Sequence, residues 1–108
     1  MSLPVEISAS DSAALLKADP SVKLIDVRTD AEYLVARIDG ALLVNNADSM
    51  AKVLSWPKET RILVHCHHGI RSLDAVAYLR ERGFEQAQSV AGGIDAWSTR
   101  VDRAVPRY

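Results

Sequence analysis

Short apolar runs alternate along this chain with stretches of helical periodicity, a pattern that predicts βα units feeding a parallel sheet covered on both faces. Val5 to Ser8 reads as a first short strand, and Asp11 to Ala18 as a helix capped by Ser10 and ended before Pro20. Leu24 to Val27 reads as a buried strand, Asp30 as the cap of a helix over Ala31 to Ala36, and Gly40 to Val44 as a return to the sheet. Met50 to Trp56 predicts a helix stopped by Pro57. Arg61 to Cys66 is the clearest strand, an Ile-Leu-Val run that ends in the polar sequence His65-Cys66-His67-His68. From Ser72 the spacing of Leu73, Val76 and Leu79 is helical, with Arg80 and Arg82 loading the last turn and Gly83 placed to end it. Gln86 to Val90 reads as the last strand, Gly92-Gly93 as a tight turn, Ile94 to Thr99 as a closing helix, and Val101 to Tyr108 as an extended tail.

At 108 residues the chain has room for one core, so the prediction is a single domain over residues 1–108 with no internal repeat. Its 13 basic and 14 acidic side chains leave a net charge of -1, which argues against a basic footprint on nucleic acid. Anion recognition, if present, has to be local. The opening Met1-Ser-Leu-Pro-Val-Glu shows neither a basic segment nor an apolar run of leader type, and no apolar stretch has the length to cross a bilayer. One cysteine cannot form an internal disulfide. These features predict a cytoplasmic protein with a reduced thiol.

That cysteine lies where chemistry is expected. In open parallel sheets the carboxyl ends of the strands are the ligand-binding edge, and Cys66 stands there, followed by His67-His-Gly-Ile-Arg-Ser72 at the start of the next helix. A short loop between those points aims successive backbone N–H groups inward, and the helix N-terminus adds its positive end. Such a bowl favours thiolate over thiol at Cys66. Gly69 permits a turn that a side chain would obstruct. Arg71 offers a planar fork suited to a tetrahedral oxyanion, and His67 and His68 stand at the rim as further donors. The predicted site is therefore Cys66 as nucleophile with His67, His68, Gly69, Ile70, Arg71 and Ser72 around the bound group.

Other readings of these residues are weaker. His65, Cys66, His67 and His68 are consecutive and alternate in direction, so they do not converge on one tetrahedral ion, and no metal is predicted. Asp26, Arg28 and Glu32 read as a structural ion-pair group rather than acid–base machinery. Trp97 reads as core or lid.

The loop, together with Leu24-Ile-Asp-Val-Arg-Thr-Asp-Ala-Glu-Tyr33, Ile38-Asp-Gly-Ala41 and Gly92-Gly-Ile-Asp-Ala-Trp97, resembles a rhodanese domain over roughly Ile7 to Trp97. The resemblance implies a three-layer α/β/α sandwich around a mainly parallel sheet of about five strands. It also implies a sulfurtransferase without cofactor, in which Cys66 carries a sulfane sulfur as a persulfide from a donor such as thiosulfate to a thiol, cyanide or protein-cysteine acceptor. Arg71 would clamp the anion, and the backbone of His67 to Ser72 would hold the sulfur. One departure is Ala36-Arg37, where the family often has Gly-His, so that histidine's role is not carried over. A cysteine phosphatase or arsenate reductase would use similar parts, but its pattern has five residues between Cys and Arg, whereas four intervene here. A non-catalytic binding module of the same fold usually lacks the cysteine.

Overall fold

The structure is a computed structural model describing residues 3–108; Met1 and Ser2, part of the opening segment read above, lie outside the described residues. Among the described residues five strands and five helices alternate: β1 (Glu6–Ile7), α1 (Ala9–Ala18), β2 (Lys23–Asp26), α2 (Asp30–Val35), β3 (Leu42–Leu43), α3 (Ala47–Leu54), β4 (Ile62–His65), α4 (Ile70–Glu81), β5 (Gln88–Val90) and α5 (Gly93–Arg100). The sheet has the order β1-β5-β4-β2-β3, and all its pairings are parallel.

Alternation along the central strands sorts the core into two halves. Leu24 and Leu63 point to one face, where they pack with Ala9, Ile94 and Trp97 from α1 and α5. Ile25, Ile62 and Val64 point to the other, against Val53 of α3 and Val76 and Leu79 of α4. Each face thus acquires its own helical layer, which is the α/β/α sandwich anticipated from the sequence. Trp97, 7% exposed, is core rather than lid. No helix among the described residues is long and apolar enough to cross a membrane.

Helix starts differ from the sequence reading because local capping chemistry, rather than apolar periodicity, sets them. Ser8, not Ser10, caps α1 by accepting the Asp11 N–H at 3.0 Å. Thr29, not Asp30, caps α2, and Glu32 completes the capping box. Asn46 caps α3 in a box with Ser49, so that helix begins at Ala47 rather than Met50. Helix α4 begins at Ile70, two residues before Ser72, because Gly69 supplies a left-handed turn at φ 100° as its cap. Four of the strands are shorter than expected, β3 being two residues with Gly40 in a turn at φ 86°, while β2 keeps its four residues one position earlier.

Residues 101–108 are not simply extended. They turn back so that Val105 is buried against the α1/α5 core, with its carbonyl accepting from Ser98 Oγ at 2.6 Å. This return carries Arg107 and Tyr108 to the carboxyl edge of the sheet.

Candidate active site

Strand β4 ends at His65, and the next residue, Cys66, is 1% exposed. The chain then turns through His67 to Gly69 into α4. This geometry converges donors on one sulfur: Cys66 Sγ accepts the Gly69 N–H at 3.1 Å and the Ser72 N–H at 3.4 Å, with Ser72 Oγ also at 3.4 Å. Ser72 Oγ lies 2.7 Å from Ser89 Oγ on β5. An ionised sulfur only accepts, so in the thiolate state Ser72 donates to Cys66 and accepts from Ser89. Burial pushes the Cys66 thiol up, but the Ser72 hydroxyl and the N–H groups of Ser72, Gly69 and Arg71 outweigh it, leaving the thiol below its ordinary range.

The bowl is held open from behind. The carbonyl oxygens of Cys66 and His67 accept the N–H groups of Ile94 and Asp95 at 2.8 and 3.1 Å, so the first turn of α5 fixes the outward-facing side of the loop. That approach requires glycine at 93: a Cβ there would lie 2.4 Å from the Cys66 carbonyl oxygen, on a backbone with φ +58°. The Gly92-Gly93 pair therefore supports the loop rather than merely making a turn.

At the rim the geometry departs from the sequence reading. Glu32 meets Arg28 only through its backbone carbonyl, which accepts from Arg28 Nη1 at 3.4 Å, and its carboxylate stays out of the Asp26–Arg28 pair. Those two form a fully buried pair, Arg28 Nη2 to Asp26 Oδ2 at 2.7 Å and Nε to Oδ1 at 2.9 Å. Glu32 instead receives Arg71 in bidentate fashion, Nη1 to Oε1 at 2.6 Å and Nη2 to Oε2 at 2.9 Å. Tyr108, which the sequence reading missed, donates its hydroxyl to Glu32 Oε2 at 2.6 Å and accepts from Arg28 Nη1 at 2.9 Å. Arg71 and Tyr108 together hold the Glu32 carboxyl well below the usual range. Two of the five guanidinium N–H groups of Arg71 are thus spent on Glu32, and three remain.

The Tyr108 ring also stacks on His67, with centroids 3.9 Å apart and planes 9° from parallel, and His67 stacks in turn on exposed His68 at 3.9 Å and 26°. Ile70 projects outward, 74% exposed. His67, His68 and Asp95 bring possible ligand atoms within 4.8 Å of one another. Asp95 is engaged by Arg107 at 2.9 Å. Arg37, at the position noted as a departure, lies 4.7 Å over the ring of Tyr33 and is not joined to Cys66.

A parallel α/β sandwich thus carries, at the carboxyl edge of its central strand, a loop whose N–H donors converge on one cysteine sulfur. The chain belongs to the rhodanese-like domain family, whose description, "Rhodanese-like domain", it matches over residues 8–100. It is 36% identical over 97 residues to a thiosulfate sulfurtransferase GlpE of Tolumonas auensis, covering 90% of this chain and 91% of that protein. It is 31% identical over 101 residues to the GlpE of Pseudoalteromonas translucida, covering 94% and 95%. Among solved structures, a rhodanese-like domain protein from Staphylococcus aureus superposes with a TM-score of 0.76 at 29% identity, covering 97% of this chain and 99% of that one. These relatives support sulfur transfer as the general activity.

Proposed function

We propose that Cys66 carries a sulfane sulfur as a persulfide between an anionic donor of the thiosulfate class and a nucleophilic acceptor. The observation that supports this most is the convergence of the Gly69 N–H, the Ser72 N–H and the Ser72 hydroxyl on Cys66 Sγ. In the first half-reaction the Cys66 thiolate attacks the outer sulfur of thiosulfate. A new S–S bond forms, the old one breaks, and sulfite leaves with the electron pair. In the second, a thiolate or cyanide attacks the outer sulfur of the persulfide, and Cys66 departs as thiolate, stabilised by the same donors. No external oxidant is needed, because the sulfane sulfur is transferred at constant oxidation level.

Arg71, through the three N–H groups not given to Glu32, orients the sulfonate end of the donor, and the N–H groups from His67 to Ser72 line the path of the transferred sulfur. No metal or cofactor enters the scheme. The free thiol of Cys66 supports a reducing compartment such as the cytoplasm. The test is intact mass spectrometry after incubation with thiosulfate: one added sulfur atom, removed by cyanide and absent in Cys66→Ala.

A further inference from the structure

Cys66 is nearly sealed, so a donor or acceptor reaches its sulfur only if the rim of the bowl admits it. That rim is a chain of side-chain contacts whose two ends, His67 and Arg71, are joined by the backbone of the loop. His67, at the start of the loop, stacks on Tyr108. Tyr108 donates to Glu32. Glu32 holds Arg71, at the end of the loop, through two hydrogen bonds. Without Tyr108 this chain of contacts is broken between His67 and Glu32, because every contact that bridges this gap runs through its side chain. The residue is also anchored from a third direction, since Arg28, itself pinned by Asp26 and the Ala36 carbonyl, donates to its hydroxyl.

We propose that Tyr108 is a specificity-determining residue that closes this rim and restricts the persulfide of Cys66 to small acceptors, cyanide and low-molecular-weight thiolates, against bulky thiols and cysteines on protein surfaces. The proposal rests on the reading of Cys66 as the sulfur carrier. Two features divide the labour. The ring, flat against His67, supplies the wall; the hydroxyl, bonded to Glu32 and Arg28, prevents it from swinging away. Tyr108 is 40% exposed, so truncating it removes the wall while leaving both cores intact.

The test uses two reagents of different size on wild type, Tyr108→Ala and Tyr108→Phe. Rates of Cys66 alkylation by iodoacetamide and by a bulky fluorescein maleimide give a size ratio that involves no sulfur transfer. Rates of persulfide discharge to cyanide and to a reduced protein thiol such as thioredoxin give the corresponding ratio for the reaction. Tyr108→Ala should shift both ratios toward the bulky partner by tenfold or more, and Tyr108→Phe, which keeps the ring but loses its anchors, by an intermediate factor. Ratios in Tyr108→Ala within twofold of wild type would overturn the proposal, and a Tyr108→Phe ratio equal to wild type would overturn the anchoring role of the hydroxyl. If wild type takes up no sulfur from thiosulfate, the sulfur-carrier reading fails, while the alkylation ratio still decides whether Tyr108 closes the rim.

Discussion

The guanidinium of Arg71 meets the carboxylate of Glu32 in a two-point contact, 2.6 and 2.9 Å, that ties the first turn of α4 to α2 across 39 residues of sequence. A free clamp would offer its whole fork and charge to a donor; this one is oriented and partly neutralised before the donor arrives. Arg71→Ala should therefore raise KM for thiosulfate by roughly tenfold, the lower part of the range for a lost charge-assisted hydrogen bond. Arg71→Lys should raise it less, because the charge persists without the fork. Steady-state kinetics with varied thiosulfate check this, and an unchanged KM in Arg71→Ala would remove the residue from donor binding.

Among the described residues Ser72 is the one whose side chain reaches the sulfur, and it is backed by Ser89. Replacing it with alanine removes the hydroxyl while sparing the N–H, so the Cys66 thiol should move up toward its ordinary range. The pH profile of iodoacetamide alkylation should shift to higher pH, and the rate at neutral pH should fall severalfold. Ser89→Ala should act in the same direction with a smaller effect, because it touches the sulfur only through Ser72.

Gly93 determines how closely α5 can approach the cysteine loop. Gly93→Ala puts a methyl group 2.4 Å from the Cys66 carbonyl oxygen and 2.6 Å from that of His67, both backbone atoms with little freedom to yield. A loss of about 2 kcal/mol or more in urea unfolding is expected, from the positive φ and the clash together. Sulfur loading should fall in parallel, since the same displacement turns the loop's N–H groups away from the sulfur.

His65 gives the protein an acid-labile core. Burial is the main cause that lowers its pKa to about 4, with nearby Asp26 opposing and Arg28 adding to the effect. Below the unfolded value of 6.5 the unfolded chain binds a proton that the folded one refuses, so stability is full above pH 6.5 and declines as pH falls toward 4. The decline amounts to about 3 kcal/mol. Urea midpoints measured from pH 7.5 to 4.5 should show it, and His65→Gln should flatten the slope in that window.

The sheet and the place of Cys66 at the end of β4 are legible in the sequence because both are local signals: the Ile-Leu-Val run of β4, the polar break at Cys66, and the Arg-Ser pair at the next helix. Helix starts were misplaced by one to three residues because Ser8, Thr29 and Asn46 cap through side-chain bonds that periodicity does not register. The rim was not legible. Glu32 stands four residues from Arg28 and reads as part of its ion-pair group, whereas its carboxylate pairs with Arg71 and Tyr108, 39 and 76 residues away. The tail likewise looked extended, as nothing in its composition reveals that Val105 docks in the core and returns Tyr108 to the cysteine loop.

Whether Cys66 carries sulfur is tested most directly by intact mass spectrometry. After incubation with thiosulfate and removal of excess donor, the wild-type protein should gain the mass of one sulfur atom. Cyanide should discharge it with release of thiocyanate, and Cys66→Ala should gain nothing. Wild-type protein that stays at its original mass, or that gains the same mass as Cys66→Ala, would contradict the account.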